Sequence, residues 1–476
     1  MLYTSRRRLP SCIGLAVVLL LGSGLDHSAN GSPAASIAAG PMVGSSHMRE
    51  VQLWLQTDRA AEVSIRYWPI DSPDEARSTA TYRTESRFAY TAKPLADQVT
   101  PGTRYRYEVL LNGSPIELDR ELEFQSQTLW KWRSDPPEFT VALGSCLFVN
   151  EAAADRSGMP YGGDYQIFTA IHERRPDVML WLGDNVYLRE PDWDSRTGML
   201  YRYTHDRALP ELQPLLGATH HYAIWDDHDA GPNNTHRSQW NMSTAHEAFE
   251  LFWANPSFGV PGVKGPTTYF QWGDADFFLL DNRSHRTPNR RTTTESTILG
   301  EAQIEWLLDS LAASRAPFKL IAMGGQFLNP VHAHETYAHL APGERDRLLR
   351  AIRHQGITGV IFLSGDRHHT EVSRLLEWGY PPIYDLTFSP LTAGAHSDAD
   401  DEPNILRLDG TLVTERNFGL LSFSGPTGDR TLKISSIGAD GVERWSRSIH
   451  ELELRTSLKK RPRGATGIPT PKKEAN

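Results

Sequence analysis

Four apolar, strand-like stretches each run into side chains able to bind a cation. FTVALGSC ends on Cys146, VMLWLGDNVY on Asp184 and Tyr187, HYAIWDDHD on Asp226 to Asp229, and GVIFLSGDRHH on Asp366 to His369. In an open α/β sheet, functional groups gather just past the carboxyl ends of the strands, so four distant segments of this kind can converge on one constellation. The repeated placement predicts a hydrolytic site built for more than one metal ion.

The chain has 476 residues, enough for two or three domains with a substantial core. At 39% hydrophobic and 22% charged residues it has the make-up of an ordinary folded protein, neither disordered nor collagenous. Residues 1–38 read as an export signal. Arg6, Arg7 and Arg8 precede the apolar run Ile13 to Leu21, and small residues follow that offer cleavage after Ala34 or Ala38. The apolar run is interrupted by Gly14, Gly22 and Gly24 and is short for a membrane span. Ser5-Arg6-Arg7-Arg8-Leu9 resembles a twin-arginine signal, which exports proteins already folded, so a periplasmic or secreted location is expected; general secretion stays open. Cys12 lies in this leader, which leaves Cys146 without a disulfide partner: a reactive thiol, an intermolecular bridge or a metal ligand. Its place after a strand, like the other three clusters, favours the ligand.

From 39 to 129 the pattern is short alternating strands with Pro/Gly turns, such as VQLWLQT, EVSIRYWP and RYRYEVLL, which predicts a small β-sandwich. The run Leu95 to Tyr107 is similar to the fibronectin type III turn that leads into a Tyr-bearing strand. Residues 130–137 read as a linker. From 138 to 454 strands alternate with amphipathic helices at about 164–174, 301–313 and 343–354, which predicts an α/β domain closed by the hairpin NFGLLSFSG and TLKISSIGADG. Residues 455–476 carry seven Lys/Arg against one Glu, with three prolines, and read as a basic disordered tail capable of weak membrane or cell-wall contact.

Gly183-Asp184-Asn185-Val186-Tyr187 sets a carboxylate at a strand end and a phenol three residues later; a carboxylate can bridge two metals, and a phenolate suits a trivalent cation. Trp225-Asp226-Asp227-His228-Asp229 packs three carboxylates and an imidazole so closely that a cation or hydrogen bonds must offset their repulsion. Asn233 and Asn234 downstream add oxygen ligands or form a turn. One of His368 and His369 is expected to face the metal, the other substrate or core. Asp281 and Arg283 follow another strand, where Arg283 either grips phosphate bidentately or forms a structural salt bridge. Gln326, also at a strand end, orients water or substrate or caps a loop. The chain lacks G-x-S-x-G, G-x-x-x-x-G-K-[ST] and H-E-x-x-H, so serine-hydrolase, nucleotide-driven and zincin chemistries lack their parts. A net charge of −9 disfavours nucleic-acid binding.

These motifs, with Gly40-Pro41-Met42-Val43-Gly44, Gly144-Ser145-Cys146, Leu280-Asp281-Asn282-Arg283 and Leu299-Gly300-Glu301, resemble the PhoD-like alkaline phosphatases of the calcineurin-like metallophosphoesterase superfamily. The resemblance implies a β-sandwich flanked by helices that hydrolyses phosphate mono- and diesters outside the cytoplasm. It also implies Fe³⁺ on Cys146, Asp184, Tyr187, Asp366 and His368, and Ca²⁺ on Asp184, Asp227 and neighbouring Asn oxygens such as Asn185. His228, oriented by Asp229, is expected to act on the leaving group, with Arg283 as a secondary phosphate clamp and Asp226 and His369 as further contacts. Ala230 stands where the family pattern places an aromatic residue, and is expected to open the pocket. A monomer acting on a phosphate ester is expected. A phospholipase D-like lipid phosphodiesterase, or an exported wall- or glycan-binding module with a vestigial metal site, are the rival readings.

Overall fold

The computed structural model describes residues 34–332 and 335–456. The leader predicted at 1–38 falls outside these up to residue 33, as does the predicted tail from 457 on.

Two large sheets face each other. The first has ten strands in the order Glu443–His450, Thr431–Gly438, Asn417–Ser424, Phe139–Gly144, Val178–Leu182, His220–Ile224, Ile37–Ser46, Val51–Thr57, then Thr91–Ala92 with Leu95–Ala96 beside it. The second has six: Thr268–Trp272, Ala275–Leu279, Phe318–Ala322, Val360–Ser364, Ile383–Thr387 and Glu371–Leu375. The strands Phe139–Gly144, Val178–Leu182 and His220–Ile224 are parallel neighbours, as are Ala275–Leu279, Phe318–Ala322 and Val360–Ser364. All six are buried on both faces, which is why they read as continuous apolar runs rather than alternating ones.

Side-chain alternation along each strand sorts the residues into layers. Val141, Leu143, Leu180 and Ile224 meet Phe277, Leu320 and Leu363 of the opposite sheet in the central core. Ala142, Met179, Trp181 and Trp225 point the other way, against the helices Gln166–Glu173, Arg196–Arg207 and Met242–Phe252. The outer face of the second sheet is covered by Glu301–Ala313 and Pro342–His354. The result is an α/β/β/α stack with the expected flanking helices.

The N-terminal region is tied more closely to the rest than its sequence suggests. The strands Glu62–Pro69, Arg77–Ser78, Tyr82–Arg83, Arg104–Leu111, Ser114–Ile116 and Glu123–Gln125 form a separate sheet, but its packing partners Val43, Val51, Leu53 and Leu55 sit on strands of the ten-stranded sheet. Ile37–Ser46 pairs parallel to His220–Ile224 and antiparallel to Val51–Thr57. It begins inside the predicted leader: a cut after Ala38 removes Ile37, which pairs with Thr57, whereas a cut after Ala34 leaves the strand whole. The strand went unread because Ile37 to Ser46 is rich in Ala, Gly and Ser, poor strand formers whose place is decided by neighbours on both sides. A third closing strand, Glu443–His450, extends the expected hairpin.

Candidate metal centre

The four segments do converge, just past the carboxyl ends of Phe139–Gly144, Val178–Leu182, His220–Ile224 and Val360–Ser364. Ligand-capable atoms fall into three overlapping groups, each within 4.8 Å: Cys146, Asp184 and His368; Asp184, Asp227 and His228; Asp226, Asp227 and Asp366. Asp184 and Asp227 each belong to two groups, the placement expected of bridging carboxylates.

In the first group the Cys146 thiol lies 3.6 Å from Asp184 Oδ2, and the Tyr187 hydroxyl donates to the same oxygen at 3.2 Å. Tyr187 is also 3.2 Å from His368 Nε2, whose Nδ1 faces the Gly394 carbonyl at 2.5 Å and the Tyr161 hydroxyl at 3.1 Å. A second-layer contact of that kind fixes the ring and leaves Nε2 for the centre. In the second group, the N–H of His228 donates to Asp184 Oδ1 (3.3 Å) and Asp227 Oδ1 (2.9 Å), and Asn234 N–H donates to Asp227 Oδ2 at 2.5 Å. The His228 ring is partly exposed and stacks on Tyr187, centroids 4.2 Å apart.

Backbone geometry makes this convergence possible. Cys146, Asp184, Asp366 and His368 all have left-handed φ, between 50° and 63°. Each such residue costs of order 1 kcal/mol or more and persists where surrounding structure enforces it, commonly at functional sites. Gly183 and Gly324 allow the strand ends to close in: a Cβ on Gly183 would lie 2.7 Å from Asp226 Cβ, and one on Gly324 2.3 Å from Asp226 Oδ2.

Electrostatics point to cations. Burial, then the charges of Asp227, Cys146, Asp226 and Asp229, push Asp184 well above the carboxylate range. Burial with Glu335, Asp226 and Asp227 nearby pushes Asp366 up to about 8, and burial pushes the Cys146 thiol up to about 12. Tyr187 is raised by burial and by the Cys146 and Asp184 charges. Asp227 is the exception: burial would raise it, but Arg283, His228 and the Asn234 N–H hold it below its usual value. Asp226 Oδ2 and Asn282 Oδ1 are buried without a hydrogen-bond partner among the described residues. Uncompensated anionic donors at this density fit cations.

Several expected roles change. Arg283 is fully buried; its Nε donates to Asp226, Nη2 to Glu335 Oε2 (2.6 Å) and Nη1 to the Thr235 carbonyl (3.4 Å). A guanidinium committed to protein acceptors cannot clamp phosphate; it is the fixed counter-charge beneath Asp226 and Asp227. Asp229 does not orient His228. On the short helix Asp227–Ala230 successive side chains diverge by about 100°, and Asp229 instead accepts from Asn185 N (3.1 Å), Asn185 Nδ2 (3.0 Å), Asp226 N (2.9 Å) and Tyr203 OH (3.3 Å). Asn185 thereby links two strand-end loops through its N–H and Nδ2, while its Oδ1 is buried without a hydrogen-bond partner among the described residues. Asn233 is exposed, so its segment is the turn that brings Asn234 N–H to Asp227. His369 and Gln326 join a separate buried network: Gln326 Nε2 donates to Glu371 Oε1 (2.7 Å), and His369 Nε2 is 3.8 Å from Glu371 Oε2. Of the adjacent histidines, then, His368 is the one at the cluster. Ala230 is fully buried in the helix-side core and opens no pocket.

Four contributors went unread. Asn282 donates to Asp226 Oδ1 at 2.8 Å, Glu335 neutralises Arg283 and Arg286, Ser389 donates to Cys146 Sγ at 3.2 Å, and Tyr161 reaches His368. Asn282 lay within a run already in view; the others sit in segments with no periodic pattern to mark them.

Residues 152–417, more than half of the chain, match the PhoD-like phosphatase family, and residues 34–129 match a domain of unknown function (DUF7800). Cys146 lies just outside the first match. Alkaline phosphatase D of Bacillus subtilis (strain 168) is 22% identical over 361 residues, covering 65% of this chain and 59% of that protein, so the match spans less than two thirds of the curated relative. The structure of PhoD superposes with a TM-score of 0.69 at 17% identity, covering 84% of this chain and 85% of that one. Purple acid phosphatase PPD1 from yellow lupin (Lupinus luteus) seeds superposes with a TM-score of 0.62 at 13% identity, covering 88% and 74%. These likenesses share the fold, and the family match carries the assignment: this chain belongs to the PhoD-like phosphatase family.

Proposed function

We propose that the protein is an exported, metal-dependent hydrolase of phosphate esters that acts on diesters and monoesters. The observation that carries this reading is the set of three overlapping donor groups sharing Asp184 and Asp227. Cys146, Asp184, Tyr187, Asp366 and His368 would hold Fe³⁺, since thiolate, phenolate and imidazole donors suit a transition metal. Asp184, Asp227, Asp226 and the Asn282 oxygen, an all-oxygen set, would hold Ca²⁺. Bound there, such cations neutralise phosphoryl oxygens and lower the proton affinity of water.

The chain's own residues do the rest. His228, partly exposed beside both carboxylates, delivers a proton from a ring nitrogen to the departing alkoxide, a contribution typically of about 10² to 10⁴ in rate. Arg283 and Glu335 hold Asp226 and Asp227 in place, and Asp229 with Asn185 locks the two loops that carry Asp184 and His228. The N-terminal strands are read as a fibronectin type III-like sandwich, supported by the Thr100 N–H that donates to Tyr105 OH at 2.7 Å across the turn.

The test is elemental analysis of purified protein alongside turnover of a soluble aryl phosphodiester, an aryl phosphomonoester and phosphatidylcholine vesicles. Iron with calcium and turnover of the soluble esters are expected. Choline release alone would favour a lipid phosphodiesterase, and metal-free protein that binds glycan without hydrolysis would favour a binding module.

A further inference from the structure

A half-buried tyrosine ordinarily packs its ring against protein and keeps its hydroxyl in water. Beside the metal centre one tyrosine is turned the other way. Tyr161 is 45% exposed, yet its hydroxyl lies 3.1 Å from Nδ1 of His368, a residue itself only 7% exposed. The polar end faces the centre, so what solvent reaches is ring. That ring meets Phe148 edge to face, with centroids 5.0 Å apart and planes at 73°, and Tyr187 likewise at 6.4 Å and 66°. Phe148 packs in turn on Cys146 and Tyr187. Tyr187 therefore touches both rings that reach solvent here, Tyr161 and His228.

The backbone that carries this ring is fixed. Gly162 N donates to Asn150 Oδ1 and Asn150 Nδ2 donates back to the Gly162 carbonyl, both at 2.9 Å. Gly163 N donates to the Thr392 carbonyl at 2.7 Å, and Arg416 Nη2 to the Tyr161 carbonyl at 3.5 Å. A Cβ on Gly163 would fall 2.3 Å from Arg416 Cζ, so a glycine is needed for the guanidinium to lie against the chain there. Exposed aromatic surface by itself is ordinary. An aromatic ring held by its hydroxyl and by its neighbours' backbone is different, because little freedom remains to be lost when a ligand meets it.

We propose that Tyr161 is the specificity-determining residue for the ester group that stays on phosphorus, and that it selects a flat aromatic group there by stacking. The inference rests on the hydrolase reading above. In that reading His228 serves the departing oxygen; Tyr161, bonded instead to His368, is the aromatic surface left for a group that is retained. Offset stacking of two rings adds to the gain from the apolar area they bury, whereas an alkyl group of the same ester gains the area alone. Aryl diesters are thus favoured over alkyl diesters with the same leaving group.

Bis(p-nitrophenyl) phosphate and methyl p-nitrophenyl phosphate share a leaving group and differ only in the group retained. The ratio of their kcat/KM values, aryl over methyl, is measured for the metal-loaded wild type, Tyr161→Phe and Tyr161→Leu. Phe keeps the ring and should keep the ratio, although both esters lose severalfold with the His368 contact. Leu should lower the ratio by at least about fivefold, through the KM of the aryl ester. Losses common to both esters cancel, so a purely structural role leaves the ratio unmoved. Phenylphosphonate and methylphosphonate, which have no ester bond to cleave, are titrated into the same proteins. Wild type and Tyr161→Phe should bind phenylphosphonate at least about fivefold more tightly, and Tyr161→Leu should lose that preference by the same factor. Equal binding of the two phosphonates by wild type, an unchanged ratio in Tyr161→Leu, or a ratio lost equally in Tyr161→Phe would overturn the stack. Turnover of neither diester by wild type would sink the hydrolase reading, while the phosphonate titration would still decide the role of Tyr161.

Discussion

The two halves of the metal centre solve the problem of buried negative charge in opposite ways. Around Asp226 and Asp227 the protein supplies its own cation: Arg283, itself held by Glu335, keeps Asp227 below its usual proton affinity. Around Cys146, Asp184 and Tyr187 no arginine or lysine is among the groups that shift them most, and burial drives thiol and phenol towards their neutral forms. The difference teaches that one half is assembled by folding and the other is completed by what it binds. Removing a buried partner should therefore damage stability in the first half and metal content in the second.

The strongest way to break the comparison is to remove the carboxylate common to two groups. Asp184→Asn is expected to lower phosphodiester turnover by about 10³-fold or more, several kcal/mol of transition-state stabilisation, with loss of both metals on elemental analysis; retained iron would show that Asp184 is not shared between the two halves. Arg283→Met should destabilise the metal-free protein by about 3–5 kcal/mol in urea unfolding, because Asp226, Asp227 and Glu335 lose their shared partner. Cys146→Ser, in contrast, should cost about 1 kcal/mol or less while losing the iron.

Acid unfolding sharpens the contrast by supplying a control outside both halves. His220 and His221 are buried and neutral, pushed down by burial to about 4 and about 3. The unfolded chain takes up these protons near the ordinary histidine value while the folded protein does not. Their contribution is thus fully present above about pH 6.5, falls by about 3 kcal/mol for each histidine as pH drops through 6.5 towards 4, and should persist in chelator. His220→Gln with His221→Gln should flatten that segment of the stability profile. The smallest effect is expected from Tyr161→Phe, which removes the contact to His368 and should cost about 1 kcal/mol, read as a severalfold fall in turnover with iron retained.

Much of this centre is legible from local pattern. An apolar run followed by GSC, GDNVY, WDDHD or GDRHH identifies strand and ligand together, since a strand end is both a change in hydrophobicity and the place where side chains are released from the sheet. Helix 301–313 is legible for a similar reason, with Ile304, Leu307, Leu308 and Leu311 on one face. Arg283 and Asp229 are not legible in the same way. An arginine four residues past a strand has the same sequence signature whether it grips a ligand or neutralises Asp226, and only its complete burial distinguishes the two. Ile37–Ser46 was hidden because a strand of small residues acquires its identity from the strands it pairs with on both sides.

By itself, the sequence determined the alternation of elements, the ligand types and their positions at strand ends, because those depend on side-chain chemistry and on periodicity over a few residues. Tertiary structure decided which of two adjacent side chains faces the centre, as with His368 against His369, and which carboxylates receive a protein counter-charge. It also decided that the N-terminal strands continue the central sheet. These depend on backbone twist at single left-handed residues and on contacts between segments more than fifty positions apart, and neither leaves a mark in local composition.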